Sequence, residues 1–256
     1  NLTETPDIGC PLYGPIINTV TRGARLRKFY IRSAATGVGK SRTMMADACH
    51  LSCSAMWNTR THSWDLLQTQ EPTLFISTEL ELSELQTMSL AFISGVDENK
   101  IVTGTYDFGE LERVKKAAQI IQSANLFIEY LPDFSLKDIE NTIKRNIREH
   151  GCLYIFLDYI HTSMKILAEI TRRSGGVKLR ADNILFMISV KLKDICSQYG
   201  VFIMTATQLN TDYQTSKTPD QNLLRGAKSI ADKIDVGTIL LDVTKDDLDA
   251  LSNGIG

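Results

Sequence analysis

Ala34-Ala35-Thr36-Gly37-Val38-Gly39-Lys40-Ser41 decides how this chain reads. The stretch fits the phosphate-binding loop template except at Ala34, which stands where the first glycine usually does. That position asks for a small residue more than for a special dihedral. Gly37 and Gly39 can take backbone angles that turn successive N–H groups toward one point. Those donors, with the positive end of the helix that follows, cradle a polyphosphate. Lys40 then reaches the β- and γ-phosphates, and the Ser41 hydroxyl ligates magnesium. The flanks agree. Lys28 to Ser33 reads as a strand entering the loop, and Arg42 to about residue 56 reads as a helix leaving it. The chain is therefore expected to bind a nucleoside triphosphate, ATP or another, with Mg2+.

Outward from the loop, short apolar runs alternate with helical patterns. The candidate strands are 28–33, 73–77, 126–130, 153–158, 201–206 and 237–242. Nearly continuous apolar strands are what a sheet covered on both faces requires. Ser135 opens a helix with a cap-like pattern. Ile139, Ile143 and Ile147 then line one face at four-residue spacing, and Gly151 stops it. A second long helix spans 182–199 with Ile184, Ile188, Leu192 and Ile195 inward, and others cover 82–94 and 108–123. This alternation predicts an α/β fold with a mostly parallel central sheet flanked by helices, its ligands at the carboxyl ends of the strands. Residues 57–72 and 162–181 read as irregular connections. The second is basic: Lys165, Arg172, Arg173, Lys178 and Arg180 stand against one acid, Glu169.

Composition bounds the rest. A chain of 256 residues, 43% hydrophobic and 23% charged, can build a sizeable core. Its net charge of −2 gives no global basic footprint, so a nucleic-acid site must come from local clusters or assembled subunits. Five cysteines, with no CxxC pair, fit reduced core thiols. Cys49, His50 and Cys53 lack an evident fourth metal ligand. No signal peptide is visible, and no apolar run approaches the roughly 18 residues of a membrane span. The chain does not begin with Met and reads as a fragment or a processed product.

Three further positions carry chemistry. Glu79 follows the second candidate strand directly, in Ile76-Ser-Thr-Glu-Leu80, Asp158 ends the strand of 153–158, and Gln208 stands at the end of Val201 to Thr207. A carboxylate at a strand tip beside the loop can hold a magnesium shell, and a second can orient or deprotonate an attacking water. Gln208 is a neutral group that could feel whether the γ-phosphate is present. Taken singly, each is a polar residue where a strand meets solvent. The case rests on all three lying at strand ends, in order, after a phosphate loop.

The order Ala-Ala-Thr-Gly-Val-Gly-Lys-Ser, Ser77-Thr-Glu-Leu80, Phe156-Leu-Asp-Tyr-Ile160, Thr207-Gln-Leu-Asn210 and Leu223 through Asp235 resembles the DnaB-type replicative helicases. The likeness runs from about residue 12 to 243. It implies a RecA-like motor domain, with a lead-in at 1–27, a core at 28–243 and a partial tail at 244–256. It also implies an ATP-hydrolysing homo-hexameric ring that moves along single-stranded DNA, in the cytoplasm of a bacterium or a phage-infected host, with a primase or helicase loader as partner. Carried over position by position, Ala35, Thr36, Gly37, Val38, Gly39, Lys40, Ser41 and Arg42 would hold the nucleotide. Ser41 and Asp158 would hold the metal, Glu79 would be the catalytic glutamate and Gln208 the coupling glutamine. Arg225, Gly226 and Lys228 would grip DNA.

Departures accompany the resemblance. The family usually continues the loop after Arg225 as Glu-Ser-Gly, where this chain has Gly226-Ala227-Lys228. Asp242 stands where the family commonly has Arg, and the family's arginine finger finds no match before Gly256. Two other readings stand beside the helicase: another RecA-like DNA-dependent ATPase of recombinase type, and a weakly catalytic nucleotide-binding scaffold.

Overall fold

The computed structural model describes residues 7–173, 180–209, 233–245 and 247–249. In chain order the elements are α1 (Pro15–Thr21), β1 (Phe29–Ala34), α2 (Lys40–Ser52), β2 (Ala55–Asn58), β3 (Ser63–Leu66), β4 (Thr73–Ser77), α3 (Leu82–Ser94) and α4 (Glu98–Thr103). They continue with α5 (Glu110–Ser123), β5 (Leu126–Tyr130), α6 (Leu136–His150), β6 (Tyr154–Asp158), α7 (Met164–Arg173), α8 (Ala181–Tyr199), β7 (Phe202–Gln208) and β8 (Val236–Leu240).

Six strands form one sheet in the order β5-β4-β6-β7-β1-β8, and every pairing in it is parallel. Successive residues of a strand point to opposite faces, so the apolar runs feed two cores at once. Phe29, Ile31, Leu74, Ile76, Ile155 and Leu157 pack against α6, α7 and α8. Tyr30, Phe75, Tyr154, Phe156, Phe202 and Met204 pack against α2, α3 and α5. Each large apolar side chain so buried contributes about 1.5–3 kcal/mol. The mostly parallel sheet flanked by helices is as expected.

Local signals explain the helices. Ser135 and Asp138 exchange hydrogen bonds with each other's backbone N–H groups, a complete capping box at the start of α6. Ile139 and Ile143 are buried on its inner face, and Gly151 closes it in the left-handed conformation. Ile184, Ile188, Leu192 and Ile195 are all buried along α8. Gly95, which ends α3, has no room for a side chain. Its φ is 62°, and a Cβ there would meet Cδ1 of Trp57 at 2.8 Å.

Two segments expected to be irregular contain regular elements. The 57–72 connection contains the end of β2 and all of β3, an antiparallel hairpin in which Trp57 faces Trp64 with ring centroids 5.7 Å apart. Arg113 and Lys116 of α5 lie over those rings at 4.9 and 4.5 Å, fixing the hairpin to the helix layer. The helix leaving the phosphate loop accordingly stops at Ser52, not near residue 56. The basic 162–181 segment begins with α7, whose Ile166 and Ile170, one turn apart, reach the core. The last strand spans 236–240 rather than 237–242, which leaves Asp242 beyond it and exposed.

Candidate nucleotide site

Strand order alone brings the sequence-derived positions together. β4, β6, β7 and β1 are consecutive neighbours in a parallel sheet, so Glu79, Asp158, Gln208 and the loop after Ala34 emerge along one edge. Leu209 N–H donates to Ala34 O at 3.1 Å, tying the end of β7 to the start of the loop.

In the loop, Gly37 and Gly39 have φ of 86° and 102°, a region that other residues enter only with strain. A cleft of about 520 Å³ opens above them, lined by Thr36, Gly37, Gly39, Lys40, Ser41 and Arg42 on one side and by Glu79 and Gln208 on others. Ala35 and Val38 complete the turn, with Val38 N–H donating to Ala35 O at 3.4 Å. Lys40 is nearly buried, and its Nζ lies 5.3 Å from the centre of the Tyr159 ring. The Tyr159 hydroxyl in turn sits 3.5 Å from Nε2 of Gln208. The aromatic ring thus stands between the cation of the loop and the amide of the neighbouring strand tip. Arg42 turns outward. Its Nε and Nη2 donate to the two carboxylate oxygens of Glu98 at 2.7 and 3.1 Å, across the rim of the cleft. With Arg42 60% exposed, that pair contributes at most about 1 kcal/mol to stability.

Asp158 lies beneath the cleft, 2% exposed. Burial raises its proton affinity, the Glu79 charge adds to this, and the Ser41 hydroxyl and Lys40 charge oppose it. Its Oδ1 is buried without a hydrogen-bond partner. An ionisable oxygen left unsatisfied beside a serine hydroxyl has the donor chemistry of a magnesium site, which needs few protein ligands when phosphates and water supply the others. Among the described residues no cluster of three His, Cys, Asp or Glu side chains could hold a metal by itself. Cys49 and Cys53 are buried in the helix-side core.

Of the other expected site residues, Arg225, Gly226 and Lys228 lie outside the described residues, as do 174–179 of the basic segment. Two residues near the reacting edge carried no assigned role in the sequence. Tyr159 is one; its signal was its place beside Asp158. Thr78 is the other. It precedes Glu79, and its hydroxyl and backbone N–H bond to the backbone at Asp158 and Tyr159. The Asp158–Tyr159 peptide is cis.

With this geometry, the family model described as the DnaB-like helicase C terminal domain matches residues 15–249. The chain belongs to this family. Among relatives, an uncharacterised SPbeta prophage-derived protein of Bacillus subtilis, YorI, is 42% identical over 252 residues, covering 97% of this chain and 50% of that protein. The replicative DNA helicase DnaB of Rickettsia bellii is 23% identical over 164 residues, covering 63% of this chain and 31% of that protein. The chain thus spans half the length, or less, of these curated relatives. A solved DnaB-like replicative helicase, described with its interactions with primase, superposes with a TM-score of 0.73 at 15% identity, covering 97% of this chain and 55% of that one. A solved ATPase domain superposes at 0.74 with 16% identity, covering 96% and 80%. The fold is RecA-like. No described helix of this DnaB-like domain is long and apolar enough to cross a membrane.

Proposed function

We propose that this DnaB-like domain is the motor of a DNA helicase, hydrolysing ATP or another nucleoside triphosphate as it moves along single-stranded DNA. The observation that carries this reading is the convergence on one edge of Lys40 and Ser41, Glu79, Asp158 and Gln208, from four adjacent strand ends. Membership in the DnaB-like family supports the DNA-linked half of the reading.

In this mechanism the N–H groups from Thr36 to Ser41 and the Lys40 ammonium hold the polyphosphate and stabilise charge on the transferring group. Ser41 and Asp158 would hold the metal through oxygen, which is what their chemistry fits. When bound, magnesium would supply positive charge to offset that of the polyphosphate. Glu79 orients a water and accepts its proton. Gln208 exchanges its contact with Tyr159 for one with the γ-phosphate, passing the nucleotide state along β7 toward 225–228. Arg225, Gly226 and Lys228 would hold DNA phosphates in a ring of six copies. Only the lining of the channel then has to be basic, which reconciles DNA binding with a net charge of −2. A primase or loader is the expected partner, and the bacterial or phage-infected cytoplasm the expected setting.

Steady-state ATP hydrolysis at low salt, with and without single-stranded DNA, tests this reading. Turnover that rises with DNA and disappears in Lys40→Ala is expected. Turnover indifferent both to DNA and to Lys40→Ala overturns it.

A further inference from the structure

We infer that Thr78 is a positioning residue for both carboxylates of the site. The parallel ladder between β4 and β6 ends at the pair Ser77 and Asp158. Thr78 takes over at that point with its side chain. Its backbone N–H donates to Asp158 O at 2.8 Å. Its hydroxyl reaches Asp158 O at 3.2 Å and Tyr159 O at 3.0 Å, and accepts the Tyr159 N–H at 3.1 Å. One hydroxyl thus serves as donor to one strand tip and acceptor from it, and the residue is 4% exposed.

The arrangement matters because of what flanks it. Glu79 is the next residue on one side of the strap, and the strap grips the backbone of Asp158 itself on the other. A buried hydroxyl satisfied in both roles leaves little freedom to either tip. The distance between the water-activating carboxylate and the metal-side carboxylate is therefore set by Thr78, which is not among the residues that line the cleft. A valine would fill the same space and remove the hydroxyl that accepts the Tyr159 N–H. A serine would keep the strap.

This inference rests on the proposed roles of Glu79 and Asp158. The test compares wild type, Thr78→Val, Thr78→Ser and Lys40→Ala for kcat and KM of ATP hydrolysis, for ADP affinity with and without magnesium, and for Tm. The expected result is that Thr78→Val loses kcat about 10–100-fold, the scale of misplacing a reacting group by an ångström. Its magnesium-free ADP affinity stays at the wild-type value, the magnesium increment shrinks, and Thr78→Ser restores most of both. If Thr78→Val does not fold, Thr78→Cys takes its place, exchanging the hydroxyl for a poor hydrogen-bonding group. Wild-type kcat in the Val or Cys variant overturns the inference. So does an equal loss in the Val and Ser variants that tracks a fall in Tm, which means packing alone. Wild-type protein without turnover, or turnover surviving in Lys40→Ala, is a different failure: it overturns the reading of the site, and the inference with it.

Discussion

Arg32 and Asp47 form an ion pair inside the interface between β1 and α2, with Nη2 2.7 Å from Oδ2 and both side chains almost fully buried. These two elements are the ones that enter and leave the phosphate loop, so the pair bolts its flanks together. Asp47 Oδ1 also accepts the Tyr13 N–H at 2.8 Å. Burial still holds the Asp47 carboxyl above its ordinary value, outweighing the Arg32 charge, and Arg32 Nε and Nη1 have no hydrogen-bond partner. Such a pair adds little over an apolar one, but breaking it strands a charge. Arg32→Met is expected to lower stability by about 3–5 kcal/mol. Arg32→Met with Asp47→Leu should recover most of that. Urea midpoints at constant slope measure both. Equal losses in the single and double variants would count against the argument.

Removing the proposed base separates binding from turnover. Glu79→Gln keeps the size and polarity of the side chain but cannot accept a proton. Its kcat is expected to fall about 10²–10⁴-fold, while ADP affinity changes little. Single-turnover hydrolysis and calorimetry give the two numbers. A Glu79→Gln protein with wild-type kcat would assign the base elsewhere.

The proposed metal-holding role of Asp158 would give the site a pH dependence. Only the ionised carboxylate holds a cation, and burial raises its proton affinity above the ordinary value of 3.8. The magnesium-dependent part of ADP affinity is therefore expected to decline on acidification at a pH above that value. Glu79→Gln removes a charge that pushes Asp158 in this direction, so the midpoint should move lower. Magnesium titrations across the acid range read the shift, and an upward shift contradicts the arrangement.

Glu140 governs part of the acid stability. Lys191 and Lys144, with the Tyr199 hydroxyl, hold its carboxyl down from 4.5 to about 2. A depressed carboxyl contributes stability that is complete above its unfolded value and is lost as pH falls toward the folded one. Thermal melts should thus show a loss between about pH 4.5 and pH 2 that is shallower in Glu140→Gln. Identical acid limbs would mean that the three partners contribute nothing net.

In the proposed mechanism Gln208 couples rather than binds. With Nε2 3.5 Å from the Tyr159 hydroxyl, itself on the ring beneath Lys40, it can change partner when a γ-phosphate arrives. Gln208→Ala is expected to bring the ratio of turnover with DNA to turnover without it close to one. An unchanged ratio would move the coupling element to another strand.

Much of this was legible in the residues. The strands at 73–77 and 126–130 fall where the apolar runs put them, because strands covered on both faces need no alternation to be seen. The sheet also brings together positions that the sequence singled out: Asp158 is the last residue of β6 and Gln208 the last of β7, and the two strands are neighbours. The hairpin at 55–66 was missed because its strands have four residues each and take their stability from Trp57 and Trp64 meeting Arg113 and Lys116, which lie far along the chain. In α7 the basic residues masked Ile166 and Ile170, whose spacing was the true signal. The role of Thr78 depends on the register of β4 against β6, which nothing local reveals.

The sheet order also fixes when the site can exist. β1 carries the phosphate loop, yet its two neighbours are β7 and β8, the last strands of the described chain. During synthesis at about 5–20 residues per second, β1 waits roughly ten to thirty seconds with both edges unpaired before β7 arrives. The loop sequence is thus made early and becomes a nucleotide cradle late. A chain still on the ribosome presents open strand edges that a chaperone can hold, and it gains its ligand only when the two ends of the domain close on each other.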